Sequence, residues 1–469
     1  MSYRDLRGWI DAVEKFGELK RINGVDWNLE MGAITEVFAR REPYPAILFD
    51  EIKDYPPGYR VLVGVHHQSL RKQCLTTHLP LDYDQRQFIT AWKERLNHSR
   101  LIAPEVVAGG PILENVVEGD DIDLFALPAP QWHEEDGGRY LGTAHVVITR
   151  DIDEGWANLG CYRVMVHDRN TLALYISPGK QARIMRQKYF DRGKPFPVAI
   201  SFGDDPLLIM AAGNHIPWGT SEYDYAGGIR GEPYEVLLGK YTGLPIHAHA
   251  EVVIEGEVLP DTHIKEGPYG EWTGYYASGE RTEPILRVKR LMHRHNPIIT
   301  GAPSSRPPGG SDDGLVRSAF IWDYMEKAGV PDVKGVALYQ GKFFSAISIK
   351  QRYPGHAKQA AFIAAQCATG AYLGRYVVVV DDDIDVFDID DVLWALGSRS
   401  DPQQDIDVLR RCWSGPLDPI IPKDAKGLSS RAVIDATRPY EWMKDFPAVS
   451  GASAKLKQEV SAKYGKFFA

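Results

Sequence analysis

The sequence predicts an α/β (α+β) protein in which a closed or split β-barrel lies between two other α/β regions. Strand-like runs follow one another between about residues 116 and 300, with one helical stretch among them. Many consecutive strands with few helices are typical of a barrel. Helical and strand-like patterns mix or alternate on both sides of that region, and 469 residues are enough for two or three domains.

The first region, residues 1–115, is predicted to be a small α/β segment. Apolar side chains recur at helical spacing close to its start, at Leu6, Trp9, Val13 and Phe16. This pattern, with charges throughout, indicates an amphipathic helix rather than a signal peptide. Short strand-like runs follow at residues 46–52 and 59–65.

The second region, residues 116–305, is predicted to form the barrel. Gly, Pro and Asn punctuate its strand-like runs, which lie at residues 145–152, 172–177, 196–203, 250–259 and 285–292. The stretch at residues 180–190 predicts one helix among these strands.

The third region, residues 306–469, is predicted to form a C-terminal α/β domain with a terminal helix. The stretch at residues 303–314 is rich in Pro and Gly and suits a linker or loop. Residues 376–387 predict a buried strand that runs into an acidic turn. The last predicted helix has an apolar face, formed by Leu456, Val460, Tyr464 and Phe467. Such a helix usually docks on its own domain or on a partner subunit.

The bulk composition excludes several classes of protein. The net charge of −9 and the pI of about 5.9 argue against binding to nucleic acid. No apolar run approaches the roughly 20 residues of a membrane span, so no membrane association is expected. The four cysteines lack CxxC spacing, and we therefore expect reduced thiols and a cytoplasmic protein.

The stretch EGPYGEW, residues 266–272, contains two glutamates. Glu266 and Glu271 flank a turn rich in Gly and Pro, and aromatic side chains lie on both sides. Burial among aromatics favours the neutral form of a carboxyl group, which makes it a usable proton donor near neutral pH. Two ordinary acids in a solvated turn are the alternative.

Three further motifs each allow a functional and a structural interpretation. In NLGCYR, Arg163 could bind a carboxylate or phosphate, or it could pair with any surface acid. In GTSEYDYAGGIRGEP, Glu222 could hold a hard cation or belong to a helix N-cap box. The basic stretch IKQRYPGHAKQ, residues 349–359, suits a phosphate or a solvated loop.

The sequence offers acid–base groups but no obvious nucleophile. It has no GxSxG elbow, no HExxH, no Walker loop and no GxGxxG after a strand. One arginine, two turn-held glutamates, one candidate metal ligand and a basic loop suit a phosphate-bearing cofactor and a carboxylate substrate. A cofactor would then supply the covalent chemistry.

Together these segments resemble the UbiD family of decarboxylases, over nearly the whole chain. The family motif is an arginine followed far downstream by two glutamates, and Arg163, Glu266 and Glu271 match it. The resemblance implies a split β-barrel flavin-binding domain joined to a C-terminal α/β oligomerisation domain. It implies prenylated FMN as cofactor, with Mn²⁺ and K⁺ at its phosphate. The implied reaction is reversible, non-oxidative decarboxylation of an aromatic, heteroaromatic or α,β-unsaturated carboxylic acid.

The resemblance also implies a role for individual residues. Arg163, Glu266 and Glu271 would handle the substrate carboxylate and the proton, with Arg163 as the partner of Glu266 and Glu271 as proton donor. The residues implied to bind the cofactor are Asn158, Leu159, Arg163, Lys180, Gln181, Ala212, His215, Glu222 and Lys350. The residues implied to hold metal ions are Asn158, Gln181, Glu222, Ala211, Ala212 and Asn214. Trp272, Pro416 and Leu417 match substrate-pocket positions.

One departure from the family pattern concerns the metal site. Many relatives have a histidine ligand in the segment written here SPGKQAR, where this chain has Lys180 and Gln181. Glutamine binds hard cations through its amide oxygen but is a weaker ligand than imidazole for Mn²⁺. The Mn²⁺ assignment is therefore open, and Lys180 could neutralise the phosphate directly.

The resemblance implies partners as well, and two other functions remain open. A flavin prenyltransferase would supply the cofactor, and subunits would form a homodimer or a higher homo-oligomer. The flat side chain of Trp272 favours an indole, pyrrole or phenolic carboxylate as substrate. The alternatives are a non-catalytic flavin-binding accessory protein and a metal-dependent hydrolase.

Overall fold

A computed structural model describes residues 3–41, 43–65, 69–214, 216–306, 314–422 and 427–467. The architecture is mixed α/β, with a curled central sheet and a C-terminal α/β domain, so the predicted fold class is confirmed. Most of the predicted linker, residues 307–313, lies outside the described residues.

The N-terminal part consists of α1 (Leu6–Lys15), β1 (Leu19–Asn23), α2 (Glu30–Phe38), β2 (Ala46–Asp50), β3 (Arg60–Val63), α3 (Leu70–Thr76) and α4 (Gln85–His98). The predicted first helix is present. Asp5 caps it by accepting the N–H of Gly8 at 3.0 Å. Its apolar side chains Leu6, Trp9 and Val13 are fully buried.

The central part contains the strands predicted for the barrel. Its elements are β4 (Glu105–Val106), β5 (Asn115–Glu118), β6 (Tyr140–Gly142), β7 (His145–Arg150), β8 (Ala157–Gly160), β9 (Val164–Val166), β10 (Thr171–Leu174), α5 (Gln181–Phe190), β11 (Phe196–Phe202), α6 (Pro206–Gly213), α7 (Glu222–Arg230), β12 (Glu235–Leu238), β13 (Pro245–His247), β14 (Val252–Glu266), β15 (Arg281–His293) and β16 (Ile298–Gly301). The large sheet has the order β6-β9-β10-β15-β14-β11-β7-β8, with β5 paired to β15.

Two smaller sheets adjoin this curled sheet. β13, β12 and β4 form one of them, and the other has the order β1-β2-β3-β16. β16 runs parallel to β3, with Ile298 opposite Arg60. A strand from the segment predicted to belong to the barrel thus completes the N-terminal sheet.

The longest strands, β14 and β15, form an antiparallel hairpin that positions the two glutamates. Glu266 is the last residue of β14 and pairs with Arg281, the first residue of β15. The intervening residues 267–280 contain the rest of EGPYGEW and form the tip of this hairpin. Glu266 is therefore fixed by the sheet, whereas Glu271 is carried by the loop.

The C-terminal part consists of α8 (Gly314–Lys327), β17 (Val333–Tyr339), β18 (Phe344–Ile349), α9 (His356–Gln366), α10 (Ala368–Ala371), β19 (Tyr376–Asp381), α11 (Ile389–Arg399), β20 (Ile406–Trp413), β21 (Leu428–Ala436) and α12 (Ala454–Tyr464). Its sheet has the order β17-β18-β19-β21-β20, with β18, β19 and β21 parallel. Short 3-10 helices lie at Pro111–Leu113, Gly119–Asp121, Leu124–Ala126, Gln340–Lys342, Tyr440–Trp442 and Gly465–Phe467.

One apolar core joins the central and C-terminal parts. It includes Val146 and Ile148 of β7, Ala319 and Trp322 of α8, and Ala361 of α9. The central sheet and the helices of the C-terminal domain are thereby packed on each other, and the cavity described below lies where both contribute side chains.

The predicted terminal helix is present as α12, and its apolar face is exposed. Leu456, Val460 and Tyr464 are 48%, 38% and 41% exposed, and Phe467 beyond the helix is 71% exposed. None of the side chains described for α12 is buried.

No helix within the described ranges has both the length and the apolar character needed to cross a lipid bilayer.

Candidate active site

A cavity of about 430 Å³ contains most of the residues singled out from the sequence. This volume falls within the roughly 300–1,000 Å³ of small-molecule sites. The predicted residues that line the cavity are Asn158, Leu159, Arg163, Lys180, Gln181, Ala212, Asn214, Glu222, Glu271, Trp272 and Leu417. Glu266 lies behind this wall, fully buried and bonded to Arg163. Ala211 and Pro416 do not line the cavity, and His215 lies outside the described residues.

Lys350 is not at the cavity, which corrects its assignment to the cofactor phosphate. It lies exposed just after β18, where its backbone N–H donates to the carbonyl of Asp332 at 3.0 Å. Its neighbour Arg352 pairs with the side chain of Asp332, so this part of the stretch is a solvated basic loop, whereas the part from the buried His356 onwards begins α9. Arg317 of α8 lines the cavity, and no motif in the sequence pointed to it.

Arg163 follows β8 and is held between the two glutamates. Its Nε and Nη2 donate to Oε1 and Oε2 of Glu266 at 2.7 and 2.8 Å. Its Nη1 donates to Oε1 of Glu271. The Arg163–Glu266 pair was predicted from the resemblance, whereas the bond from Arg163 to Glu271 was not. The alternative of a surface arginine is excluded, because only 9% of Arg163 is exposed.

The charge of Arg163 is balanced within the protein. Burial disfavours its charged form, but the charges of Glu271 and Glu266 and the hydrogen bond to Glu266 outweigh burial and raise the pKa of Arg163 well above its usual range. The guanidinium also lies 4.6 Å from the ring centre of Tyr175 and 5.1 Å from that of Tyr269. These contacts orient a planar cation at the cavity wall.

The turn between the glutamates is held by a segment that the sequence did not single out. Gly267 has a φ of +84°, which glycine adopts without strain. The side chain of Asp136 accepts the N–H of Gly270 at 3.0 Å. The N–H of Gly137 donates to the carbonyl of Pro268 at 2.7 Å. Both ends of the turn are thus fixed to residues 136–137.

Each glutamate has a further hydrogen-bond donor. Tyr140 donates its hydroxyl to Oε1 of Glu266 at 3.1 Å. Ser278 donates to Oε1 of Glu271 at 2.8 Å. Both hydrogen bonds found for the Glu271 carboxylate within the described residues fall on Oε1, so its Oε2 is left to face the cavity.

A second polar cluster lines the cavity at the start of α7. Glu222 accepts the backbone N–H of Leu159 at 2.6 Å and the side-chain amide of Asn158 at 3.1 Å. Asn158 also donates to Oε1 of Gln181 at 2.7 Å. Ser221 precedes the helix without making a side-chain cap bond, so the N-cap-box interpretation of this motif fails. Oδ1 of Asn158 is buried and has no partner among the described residues.

This cluster fits a hard cation. Its donors are a carboxylate and two amide oxygens, from Glu222, Asn158 and Gln181, and such cations take oxygen ligands. Asn158 faces Glu222 and Gln181 with its Nδ2, and rotation of its amide would turn the buried, unpartnered Oδ1 towards them as a third oxygen ligand. No group of three His, Cys, Asp or Glu side chains suited to a metal occurs within the described ranges.

Besides Arg163, two cationic side chains line the same cavity, Lys180 and Arg317. Lys180 has its ammonium nitrogen 5.8 Å from the ring centre of Tyr372. Burial and the positive charge of Arg317 lower the pKa of Lys180. Lys180 and Arg317 are thus two neighbouring cations that fit a phosphate group.

Comparison with known proteins identifies the family. Family models match residues 105–307 (the 3-octaprenyl-4-hydroxybenzoate carboxy-lyase Rift-related domain), 313–436 (the C-terminal domain of the same enzyme) and 10–74 (its N-terminal domain). The chain belongs to the UbiD family of carboxy-lyases.

Relatives within the UbiD family resemble the chain over its whole length. It is 34% identical to a pyrrole-2-carboxylic acid decarboxylase of Pseudomonas aeruginosa, over 96% of this chain and 94% of the relative. It is 32% identical to a phenolic acid decarboxylase of a Streptomyces species, over 99% and 100% of the two chains.

Solved structures of UbiD-class enzymes agree with the fold. The closed form of the vanillic acid decarboxylase of Sedimentibacter hydroxybenzoicus has a TM-score of 0.86 and 29% identity, with 99% of each chain covered. An evolved dimeric form of the UbiD-class enzyme HmfF of Pelotomaculum thermopropionicum, in complex with prFMN, has a TM-score of 0.82 and 26% identity, with 98% and 99% covered.

The resemblance to the UbiD family did not predict three residues that support the site from outside the stretch EGPYGEW. Asp136, Ser278 and Arg317 approach the site from separate parts of the chain. Of these three, Ser278 could have been predicted from the sequence, because it is a short polar residue at the far end of the same hairpin loop, seven residues after Glu271.

Proposed function

We propose that this chain is a carboxy-lyase that reversibly removes CO₂ from an aromatic, heteroaromatic or α,β-unsaturated acid with prenylated FMN. The observation that carries the proposal is one buried guanidinium, Arg163, bonded to Glu266 and Glu271 at the wall of a cavity. Relatives that match over almost their whole length are named as decarboxylases of pyrrole-2-carboxylic and phenolic acids. A neighbour of the same class binds prFMN.

The reaction requires more than acid–base groups. Loss of CO₂ from an unsaturated carbon leaves a carbanion in the plane of the ring, where the π system cannot accept the charge. When bound, prenylated FMN supplies an electrophilic centre that accepts those electrons. The protein must hold the carboxylate, exclude water and return one proton to the same carbon.

Arg163 is suited to hold the substrate carboxylate. A guanidinium has five N–H donors in a planar fork, and Nε and Nη2 of Arg163 are committed to Glu266. Its Nη1 bonds Glu271. These three bonds use three of the five donors, so one N–H on Nη1 and one on Nη2 remain for a substrate carboxylate. The substrate would then bind to the same guanidinium as Glu271, which places its carboxylate beside the acid that has to deliver the proton.

Glu271 is suited to return the proton. It lines the cavity, and Ser278 fixes one of its oxygens. Tyr269 and Trp272 line the cavity on either side of it in the sequence, and their rings limit access of water to the acid. General acid–base catalysis by a carboxyl group needs a position within about 2.6–3.2 Å of the atom that receives the proton.

The remaining polar groups suit the phosphate end of the cofactor. Lys180 and Arg317 would neutralise the phosphate, and Asn158, Gln181 and Glu222 would hold a hard cation such as Mn²⁺. We infer that K⁺ is held with Ala212 and Asn214, which line the same cavity; Ala211 precedes them in α6. The supply of prenylated FMN by a flavin prenyltransferase is part of this proposal.

Cation binding at Glu222 is expected to strengthen as the pH rises. Burial raises the pKa of Glu222 from its ordinary 4.5 to about 8, so a cation that binds below this pH must expel a proton. Without a cation, the neutral form of Glu222 stabilises the folded protein relative to the unfolded chain. This contribution is complete below about pH 4.5, the ordinary pKa, and is lost as the pH rises through about 8. The increase in melting temperature caused by Mn²⁺ should therefore grow as the pH rises from 6 to 8, towards the pKa of Glu222.

The Glu222→Gln variant should lose this response, because a neutral amide has no proton to exchange. Glu283→Gln is the matched control: burial also raises the pKa of Glu283, to about 7, but Glu283 does not line the cavity. Equal Mn²⁺-induced shifts in wild type and Glu222→Gln, measured across the pH series by scanning fluorimetry, would remove Glu222 from the cation site.

Co-expression with a flavin prenyltransferase tests the proposed function directly. Protein made beside the prenyltransferase should absorb as a flavoprotein and release CO₂ from at least one acid in a panel of pyrrole, indole, phenolic and cinnamic carboxylates. Protein made without it should release little or none. Release is followed as CO₂, and the reverse direction as H/D exchange of the product in D₂O.

Two outcomes of this experiment would contradict the proposal. Full activity with unmodified FMN would remove the prenylated cofactor. Flavin that binds tightly without CO₂ release or H/D exchange on any acid would favour the non-catalytic accessory protein.

The exposed face of α12 leads us to propose a homodimer or higher homo-oligomer. Four apolar side chains, Leu456, Val460, Tyr464 and Phe467, share this face, and each is more than a third exposed. Light scattering at micromolar concentration should give at least twice the mass of the 52.5 kDa chain. The Leu456→Asp/Val460→Asp variant should shift the mass towards the monomer. A monomeric mass for the wild-type protein would refute this association.

A further inference from the structure

A turn of the C-terminal domain presses directly on Trp272, the aromatic wall of the cavity. The turn comprises residues 340–343, between β17 and β18. The ring of Phe343 stacks on the indole, with 5.6 Å between ring centres and an interplanar angle of 24°. Gly341 and Trp272 both line the cavity. The side chain next to Glu271 in the sequence is therefore held by a different domain.

Gly341 leaves no room for a side chain. A Cβ at this position would lie 2.5 Å from Cζ3 and 3.1 Å from Cε3 of Trp272. Ordinary contact between carbon atoms is about 3.5–4.0 Å, so a single methyl group would force the indole or the turn to move by roughly 1 Å. The residue also has a φ of +73°, where any L side chain is strained.

The turn is not free to yield, because it is tied to the sheet behind it. The carbonyl of Phe343 accepts the backbone N–H of Arg375 at 3.2 Å and that of Tyr376 at 2.9 Å. Phe343 is followed at once by β18, which pairs with β19 from Phe344 onwards. A displacement of the indole is therefore the easier response.

Trp272 is also coupled to the candidate proton donor. The backbone N–H of Glu271 donates to the carbonyl of Tyr275 at 3.1 Å, and that of Gly274 donates to the carbonyl of Glu271 at 2.8 Å. These bonds close a tight loop with Trp272 inside it. The indole wall and the acid consequently keep a fixed relation to each other.

We propose that the turn of residues 340–343 sets the width of the substrate part of the cavity, so that Gly341 and Phe343 determine which flat ring acids are accepted. The proposal rests on the function proposed above. Gly341 and Phe343 are positioning residues that act through Trp272. The wall they support would discriminate acids by ring size: one-ring acids, such as pyrrole carboxylates, against two-ring acids, such as indole carboxylates.

A double-mutant cycle tests whether these residues act through the indole. Gly341→Ala in the wild-type background should change the ratio of kcat/KM between a two-ring and a one-ring acid by about 10-fold or more, the scale of one methylene in a tight pocket. In the Trp272→Leu background, which lacks Cζ3 and Cε3, the same substitution should leave the ratio within about 2-fold, because the added methyl group no longer has an indole to displace; such non-additivity is the sign of coupled residues. Phe343→Leu should relax the discrimination without adding a clash.

Gly355→Ala is the matched control for backbone strain. Gly355 lies in the same domain with a φ of +81°, and a Cβ there would meet nothing within 4 Å. It does not line the cavity. This variant should lower the melting temperature by about as much as backbone strain alone does in Gly341→Ala. It should keep the wild-type ratio of kcat/KM between the two-ring and the one-ring acid.

The outcomes separate this inference from the proposed function. An equal effect of Gly341→Ala on the ratio in both backgrounds, or no effect in the wild type, would overturn the inference while decarboxylation stands. Absence of decarboxylation by the wild type would overturn the function instead. The same cycle, read as dissociation constants for the two acids by calorimetry, would then still decide whether the turn sets the width of the cavity.

Discussion

Glu271→Gln is expected to lower steady-state CO₂ release about 10²–10⁴-fold, the usual cost of removing a general acid–base group. Glutamine has nearly the shape of glutamate, and its amide oxygen can still accept the bonds from Arg163 and Ser278 that Oε1 accepts now. The fold and the bound cofactor should therefore persist. Proton return should fail, so H/D exchange of the product in D₂O should fall with CO₂ release.

Glu283→Gln is the control for this substitution. Glu283 lies on β15, 6% exposed, with its carboxylate 3.7 Å from Arg183 and from Arg186. It does not line the cavity, so its variant should retain turnover. H/D exchange at the wild-type rate in Glu271→Gln would mean that another group delivers the proton.

The local parts of the site could be predicted from the sequence. The spacing of Glu266 and Glu271 around a Gly- and Pro-rich turn reflects the tip of one hairpin, where β14 ends and the loop begins. Arg163 follows β8 in the same curled sheet. The helices at 6–15, 181–190 and 454–464 follow from apolar or helical patterns that need no distant partner.

The parts that depend on distant packing could not be predicted. Lys350 looked like a phosphate ligand because its stretch is basic, yet it lies exposed after β18. Arg317 reaches the cavity because α8 packs against the central sheet, a contact between segments far apart in the chain. Asp136 binds the turn across 134 residues of sequence. The pairing of β16 with β3 of the N-terminal sheet could not be predicted either, because it joins residues more than 230 positions apart.

Arg163→Met is expected to abolish substrate anchoring and to destabilise the protein. Methionine fills much of the same space but leaves Glu271 without its cation and Glu266 with only the more distant Arg281, 3.7 Å away, although both glutamates are less than 5% exposed. Removing one partner of a buried ion pair costs about 3–5 kcal/mol, because the remaining charge stays buried. CO₂ release should fall by about 10²-fold or more, the effect of losing substrate position. The measurements are denaturant unfolding and steady-state CO₂ release.

A compensated variant separates stability from function. Arg163→Met combined with Glu266→Gln and Glu271→Gln also removes both buried carboxylate charges, so it should recover most of the lost stability and none of the activity. Arg21→Met is the control for loss of an arginine. Arg21 and its partner Glu14 are both about half exposed, and such an ion pair contributes less than about 1 kcal/mol to the free energy of unfolding. If Arg163→Met unfolds at the same denaturant concentration as Arg21→Met, the buried carboxylates do not depend on Arg163. The shared guanidinium would then not be what holds the two glutamates at the cavity.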